Sequence, residues 1–218
     1  MKFIEHEHEF RRPSGYITLY LHEGGEIKNG EIIGGKLLKK VAVKNLIVDR
    51  ASELMAARMA PGSVTGSGTA AVNGNYLDAG IRYLAVGTGI LTDPSLPYDP
   101  VTNPVDTAQW DLQNPPVETL GTTKLSSEFY RKEITSWKFI DAAGEETDEL
   151  TNILSLSTTF YEDECNGPLT ECGLFGGDAL PWNNGAGKDT GLQFNVKHFK
   201  VINKPDTARL TIVWKLTF

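Results

Sequence analysis

The chain has 218 residues, 40% of them apolar, with a net charge of −7 and a pI near 5.2. That is enough for one large domain, or one domain with an appended arm. The acidic balance argues against nucleic acid as the main partner, since binders of duplexes and RNA display basic surface.

Met1-Lys2-Phe3-Ile4 runs at once into Glu5-His6-Glu7-His8-Glu9, so the apolar core of a secretory leader is missing. No stretch approaches the ~20 apolar residues of a membrane span, and a soluble protein with no membrane partner is expected. On a strand His6 and His8 would share a face and could hold a borderline metal. No third ligand follows at a telling spacing, and a solvated charged edge is the expectation.

Residues 1–44 read as an N-terminal β-hairpin arm. Tyr16, Thr18 and Tyr20 alternate with Ile17, Leu19 and Leu21, the period-two pattern of a strand. Gly24-Gly25 predicts a turn and Asn29-Gly30 a second, tight one. Residues 36–44, with Leu38, Val41 and Val43 apolar, predict the next strand. An isolated ribbon cannot bury its own faces. The arm is therefore expected to pack on the rest of the chain or on a neighbour, with Tyr16, Thr18 and Tyr20 as contact residues. Adding residues 16–21 to a neighbour's sheet edge is one concrete mode. On that reading a chain lacking residues 1–24 still folds but no longer joins its assembly.

Residues 45–218 read as the main domain. Asn45 is an N-cap candidate for one helix over residues 45–60, whose stripe is Ile47, Ala51, Leu54, Met55 and Met59; Pro61-Gly62 stops it. Residues 62–75 are rich in Gly, Ser, Thr and Ala and predict a loop. Residues 81–86 form the next strand, ended by Gly87-Thr88-Gly89. A proline-rich loop over residues 90–120 holds Pro94, Pro97, Pro100, Pro104, Pro115 and Pro116, and such a segment cannot form a ladder. Tyr98 and Trp110 within it are expected to dock, either on this domain's own surface or on a neighbouring subunit.

Strands dominate from Leu125 onward. If residues 129–139 are one strand, Phe129, Arg131, Glu133, Thr135, Trp137 and Phe139 share a face. Residues 141–149 make an acidic turn, and strands follow at 153–160, 169–175, 194–202 and 210–218. Short strands with turn-rich links predict a mainly β protein: an antiparallel β-sandwich with one packed α-helix and the N-terminal β-arm.

Candidate chemistry is sparse. Cys165 and Cys172 do not make a disulfide framework, and two reduced thiols with Cys172 buried beside Leu174 are expected. Gly185-Ala186-Gly187-Lys188-Asp189-Thr190 departs from a phosphate loop at two places, Trp182 for the first glycine and Asp189 for the hydroxyl. Glu171, between Thr170 and an apolar run, must be paired if buried. Arg131 is its candidate partner, in a structural salt bridge rather than an acid catalyst. No catalytic residue, cofactor, metal or small-molecule ligand is expected.

Five ordered segments carry a resemblance. They are Asn45-Leu46-Ile47-Val48, Ala85-Val86-Gly87-Thr88-Gly89, Leu125-Ser126-Ser127-Glu128-Phe129-Tyr130-Arg131-Lys132, residues 170–175, and Leu210-Thr211-Ile212-Val213-Trp214. The set is similar to tail-collar fibre and fibre-attachment proteins of tailed bacteriophages, over about residues 45–218. The resemblance implies a non-enzymatic structural protein of the virion, assembled in the host cytoplasm, whose partners are other tail, neck or baseplate subunits and its own copies. It implies no catalytic residues. Many relatives run on into long fibre repeats, whereas this sequence carries a proline-rich insertion and its own arm, which points to a compact part of the neck, collar or baseplate. Two alternatives stay open: a receptor-binding tail fibre domain, and a carbohydrate-binding module with Trp110, Trp137 or Trp182 as the sugar platform.

Overall fold

The computed structural model describes residues 14–28, 30–47, 80–149, 151 and 153–217. They form ten strands: β1 (Ser14–Lys28), β2 (Glu31–Ile47), β3 (Ile81–Gly87), β4 (Glu128–Glu133), β5 (Ser136–Ile140), β6 (Glu146–Thr147), β7 (Ile153–Phe160), β8 (Gly167–Gly176), β9 (Leu192–Lys204) and β10 (Arg209–Thr217). All pairings are antiparallel. One sheet has the order β2-β1-β10-β7-β5-β6 and the other β4-β3-β8-β9. β2 belongs to the first along most of its length, then crosses to pair Leu46 and Ile47 with Val196 and Asn195 of β9.

The two sheets share one apolar core. Ile17, Leu19 and Leu21 of β1, Leu156 and Phe160 of β7, and Leu210, Ile212, Trp214 and Leu216 of β10 face it from one side. Leu84, Val86, Leu169, Cys172, Leu174 and Phe194 meet them from the other. The pattern follows from strand geometry: successive side chains point to opposite faces, so the alternation in β10 puts one set in the core and Lys215 and Thr217 outside. Each fully buried Leu, Ile or Phe contributes roughly 1.5–3 kcal/mol. Cys165 and Cys172 are both free and buried, as expected, and burial pushes the Cys165 thiol up to about 12.

Several expectations change. The β1–β2 hairpin is not an appended arm, because β1 lies in the interior of its sheet with β2 on one side and β10 on the other. Both of its edges are already occupied, so residues 16–21 cannot add to a neighbour's sheet. Gly30 does stand at the hairpin turn, between the paired Lys28 and Glu31; Asn29 lies outside the described residues. Gly24-Gly25 does not reverse the chain; it lies within β1, opposite Gly35, where a Cβ on Gly35 would stand 2.5 Å from the Gly24 carbonyl oxygen. Asn45 does not cap a helix, since β2 continues through Ile47. The remainder of the predicted helix, residues 48–60, lies outside the described residues, as do His6 and His8.

Residues 129–139 are two strands rather than one. The Ile134 N–H still donates to Arg82 of one sheet, while the Thr135 N–H donates to Ser157 of the other, so the chain changes sheets between them. Residues 90–120 form no strand, only the isolated bridges Leu91–Val105 and Asp99–Asn103. The loop has its own small core of Leu91, Val105 and Trp110.

Candidate binding groove and the polar layer of the opposite sheet

The outer face of the six-stranded sheet carries a groove of about 610 Å³. Its floor is β1, β10, β7 and β5. One wall is the tip of the β1–β2 hairpin, including Gly25, Glu26 and Lys28, and the other is the β5–β6 hairpin, including Gly144, Glu145 and Glu146. Register places the floor side chains in rows. Tyr16, Lys215, Ser155 and Lys138 are consecutive partners across four strands, and so are Thr18, Val213, Ser157 and Ser136. Tyr20, Thr211 and Thr159 make a third row.

The hydroxyls at the end of that third row are oriented by His22, a neighbour on the same face of the sheet. The buried His22 donates from Nδ1 to the Gly24 carbonyl at 2.6 Å, which fixes its tautomer. Its Nε2 then accepts from Thr211 Oγ1 at 3.0 Å, and Thr211 Oγ1 lies 2.8 Å from Thr159 Oγ1.

Tyr16, Thr18 and Tyr20 therefore all line this groove. Tyr16 is 61% exposed, and Tyr20 is buried with Lys40 Nζ 5.0 Å from its ring centroid. The loop residues behave differently. Trp110 is only 1% exposed, set between Leu91 and Val105 with its ring 4.7 Å from that of His198, so it docks on its own domain. Tyr98 is half-buried, edge-on to Phe129 at 5.5 Å. Of the three tryptophans considered as sugar platforms, Trp137 is 59% exposed, but its register opposite Leu156 puts it on the other face of the sheet from Ser136 and Lys138, with its ring 5.8 Å from that of Phe139. Trp182 is half-buried against Tyr130 at 5.4 Å.

Arg131 does not pair with Glu171. It forms a bidentate pair with Glu128, Nε to Oε1 at 2.6 Å and Nη2 to Oε2 at 2.7 Å, with both side chains fully buried. Glu128 stands three residues before Arg131, close enough to present both carboxylate oxygens to the guanidinium fork. Arg131 Nη1 also donates to the Thr190 carbonyl at 3.0 Å, and Glu128 Oε2 accepts the Asp189 N–H at 3.1 Å. The guanidinium lies 4.7 Å from the Phe175 ring centroid. This pair thus fastens the 180–190 loop to the sheet.

Glu171 fastens the other covering loop. Its carboxyl accepts N–H bonds from Ser127 at 2.8 Å, Ser126 at 2.9 Å and Gly89 at 3.3 Å. A Cβ on Gly87 would stand 2.5 Å from Glu171 Oε1, and one on Gly89 would strike the Trp110 ring at 2.5 Å. Three of the segments that carry the resemblance therefore meet here: residues 85–89, 125–132 and 170–175.

His198 completes the arrangement. It donates from Nδ1 to the Pro116 carbonyl at 2.7 Å, which leaves the Nε2 side turned to Glu171 Oε2 at 3.7 Å. Glu118 accepts the His198 N–H and holds Lys197 Nζ at 2.8 Å. Nothing in the spacing of Glu118, Glu128 and His198 marks them in the sequence. The one local signal was the three-residue step from Glu128 to Arg131.

Burial pushes the Glu171 carboxyl above the ordinary carboxylate range, against the pull of the Ser127, Ser126 and Gly89 N–H groups and of His198. The folded state thus binds a proton that the unfolded chain releases at the same pH. Stability from this site is complete below the ordinary carboxylate value and is lost as pH rises through the raised one. Denaturant midpoints are expected to fall over that window, with a smaller fall in Glu171→Gln, which cannot ionise. Equal slopes in the two proteins would exclude Glu171 as the source.

No family model matches the chain, and no curated protein matches it.

Proposed function

We propose that the protein is a non-enzymatic structural subunit of a tailed-phage particle, at the neck, collar or fibre-attachment level, and that it works through subunit contacts. Its two sheets are read as an antiparallel β-sandwich serving as a rigid block. Its partners are further copies of itself and neighbouring virion proteins, met during assembly in the host cytoplasm. The resemblance supplies the virion context.

The observation that carries the assembly reading is the outer edge of β2. From Glu31 to Asn45 this strand pairs with β1 on one side and with no other strand among the described residues. A long free edge offers a row of unpaired N–H and C=O groups to another chain. Ile33, Leu37 and Leu38 are exposed along it, and exposed Lys36 and Lys44 are the kind of charge that limits indiscriminate pairing. Exposed apolar side chains beside a free edge suit contact with a second strand. The large buried ionisable groups, Glu128, Arg131 and Glu171, are occupied in holding loops, which supports a structural reading over a catalytic one.

Light scattering across micromolar concentrations tests the contact. The wild-type chain is expected to form an oligomer of fixed size, and the double variant Ile33→Asp/Leu37→Asp to remain monomeric with an unchanged thermal midpoint. An antibody to the protein is expected to label the neck or tail of purified particles. A wild-type chain that stays monomeric at every concentration, or particles without label, would remove the reading.

A further inference from the structure

We infer that the groove on the outer face of the six-stranded sheet is a binding site for a neutral oligosaccharide. This goes beyond the assembly reading and rests on a different face of the molecule.

The first argument concerns the backbone. The floor strands β1, β10 and β7 are each paired on both sides, so their N–H and C=O groups are already used. A peptide laid across this floor finds no main-chain partner, whereas at a sheet edge it would. Any ligand must be read by side chains alone.

The second argument concerns which side chains those are. Thr18, Ser136, Ser155, Ser157, Thr159 and Thr211 all line the groove. A hydroxyl both donates and accepts, so registered rows of them match a ligand whose own surface is hydroxyls. Tyr16 and Tyr161, 61% and 46% exposed, line the groove and add flat rings with an apolar body and a polar tip. Such rings suit a sugar, which presents one face of C–H groups and a rim of O–H groups. Concave sites with an apolar lining and a few placed polar groups are the usual form of a ligand pocket.

The third argument is charge. Glu26 stands with Lys28 on one wall and Glu145 and Glu146 on the other, while Lys138, Arg209 and Lys215 lie on the floor strands. Two of these cations are already engaged, Lys138 with Asp148 at 2.5 Å and Arg209 with Glu162 at 2.7 Å. Carboxylates on both walls repel a polyanion, so a nucleic acid or an acidic polysaccharide is disfavoured. What remains is a neutral polyhydroxyl chain.

A glycan array carrying neutral and acidic oligosaccharides, followed by calorimetric titration of the best neutral ligand, tests the site. Binding to at least one neutral oligosaccharide is expected. Tyr16→Ala and Tyr161→Ala should each weaken it about tenfold or more, a loss of about 1.4 kcal/mol. Val117→Ala, on the exposed loop of the other sheet, should leave it unchanged. Both aromatic side chains are exposed, so the thermal midpoints should hold; if Tyr161→Ala fails to fold, Tyr16→Ala and Ser157→Ala carry the test. Silence toward every neutral glycan, binding confined to acidic glycans, or affinity that survives both aromatic substitutions would each overturn the assignment.

Discussion

Removing residues 1–24 is expected to give a chain that does not fold. β1 would lose Ile17 and Leu19, both fully buried, together with Leu21. Truncating a single buried Leu or Ile already costs about 2–5 kcal/mol. A domain's whole stability is only about 5–15 kcal/mol, so losing three such side chains consumes most or all of it. The deletion would also strip a ladder partner from both β10 and β2 and leave Trp214, opposite Ile17, without its neighbour. Circular dichroism and amide exchange of the truncated chain would decide the matter. A cooperative unfolding transition with native-like spectra would show that the core closes without β1.

The second large effect is expected at Glu128 and Arg131. Glu128→Ala leaves a guanidinium buried without its carboxylate, and breaking a buried pair in this way costs about 3–5 kcal/mol. Arg131→Met strands the carboxylate with little more than the Asp189 N–H, and a similar loss is expected. The double variant Glu128→Leu/Arg131→Met should recover part of it, because no buried charge then lacks its partner. It should not recover all, since the Asp189 N–H and the Thr190 carbonyl lose partners, at about 1–3 kcal/mol for an unsatisfied group. Urea denaturation of the four proteins measures the cycle. Singles no less stable than the double would mean that loop anchoring, not charge pairing, dominates the site. Limited proteolysis should then cut the 180–190 loop first in either single variant.

The deletion and the ion pair illustrate two different kinds of legibility. Strand identity was readable where alternation was clean: residues 210–217 and 16–21 each display one apolar face, and each is a strand with that face in the core. The proline-rich loop was readable too, because proline supplies no N–H for a ladder. The helix beginning at Asn45 was a reasonable pattern defeated by context. β2 carries on to Ile47 because β9 offers Leu46 and Ile47 hydrogen-bond partners, which no local propensity records.

The partners of Glu171 could not be read at all. Its N–H donors come from residues 44, 45 and 82 positions away in the chain, and Arg131, the plausible cation, found a carboxylate three residues off instead. The groove was likewise hidden. Tyr16, Thr18 and Tyr20 were recognisable as one face of a strand, but not that β10, β7 and β5 would continue that face into a floor.

The sequence by itself determined that this is a β protein with many turns, two reduced cysteines, and an alternation that decides which side of most strands is buried. Those properties depend on residues close in the chain, whose side-chain period and backbone limits are local. Only the tertiary structure decided that the N-terminal hairpin is integral to the fold, that the chain changes sheets between Ile134 and Thr135, and that Glu128 and Glu171 hold two separate loops. Those outcomes depend on which strands become neighbours, and that is settled by the joint burial of faces from distant segments rather than by any one of them.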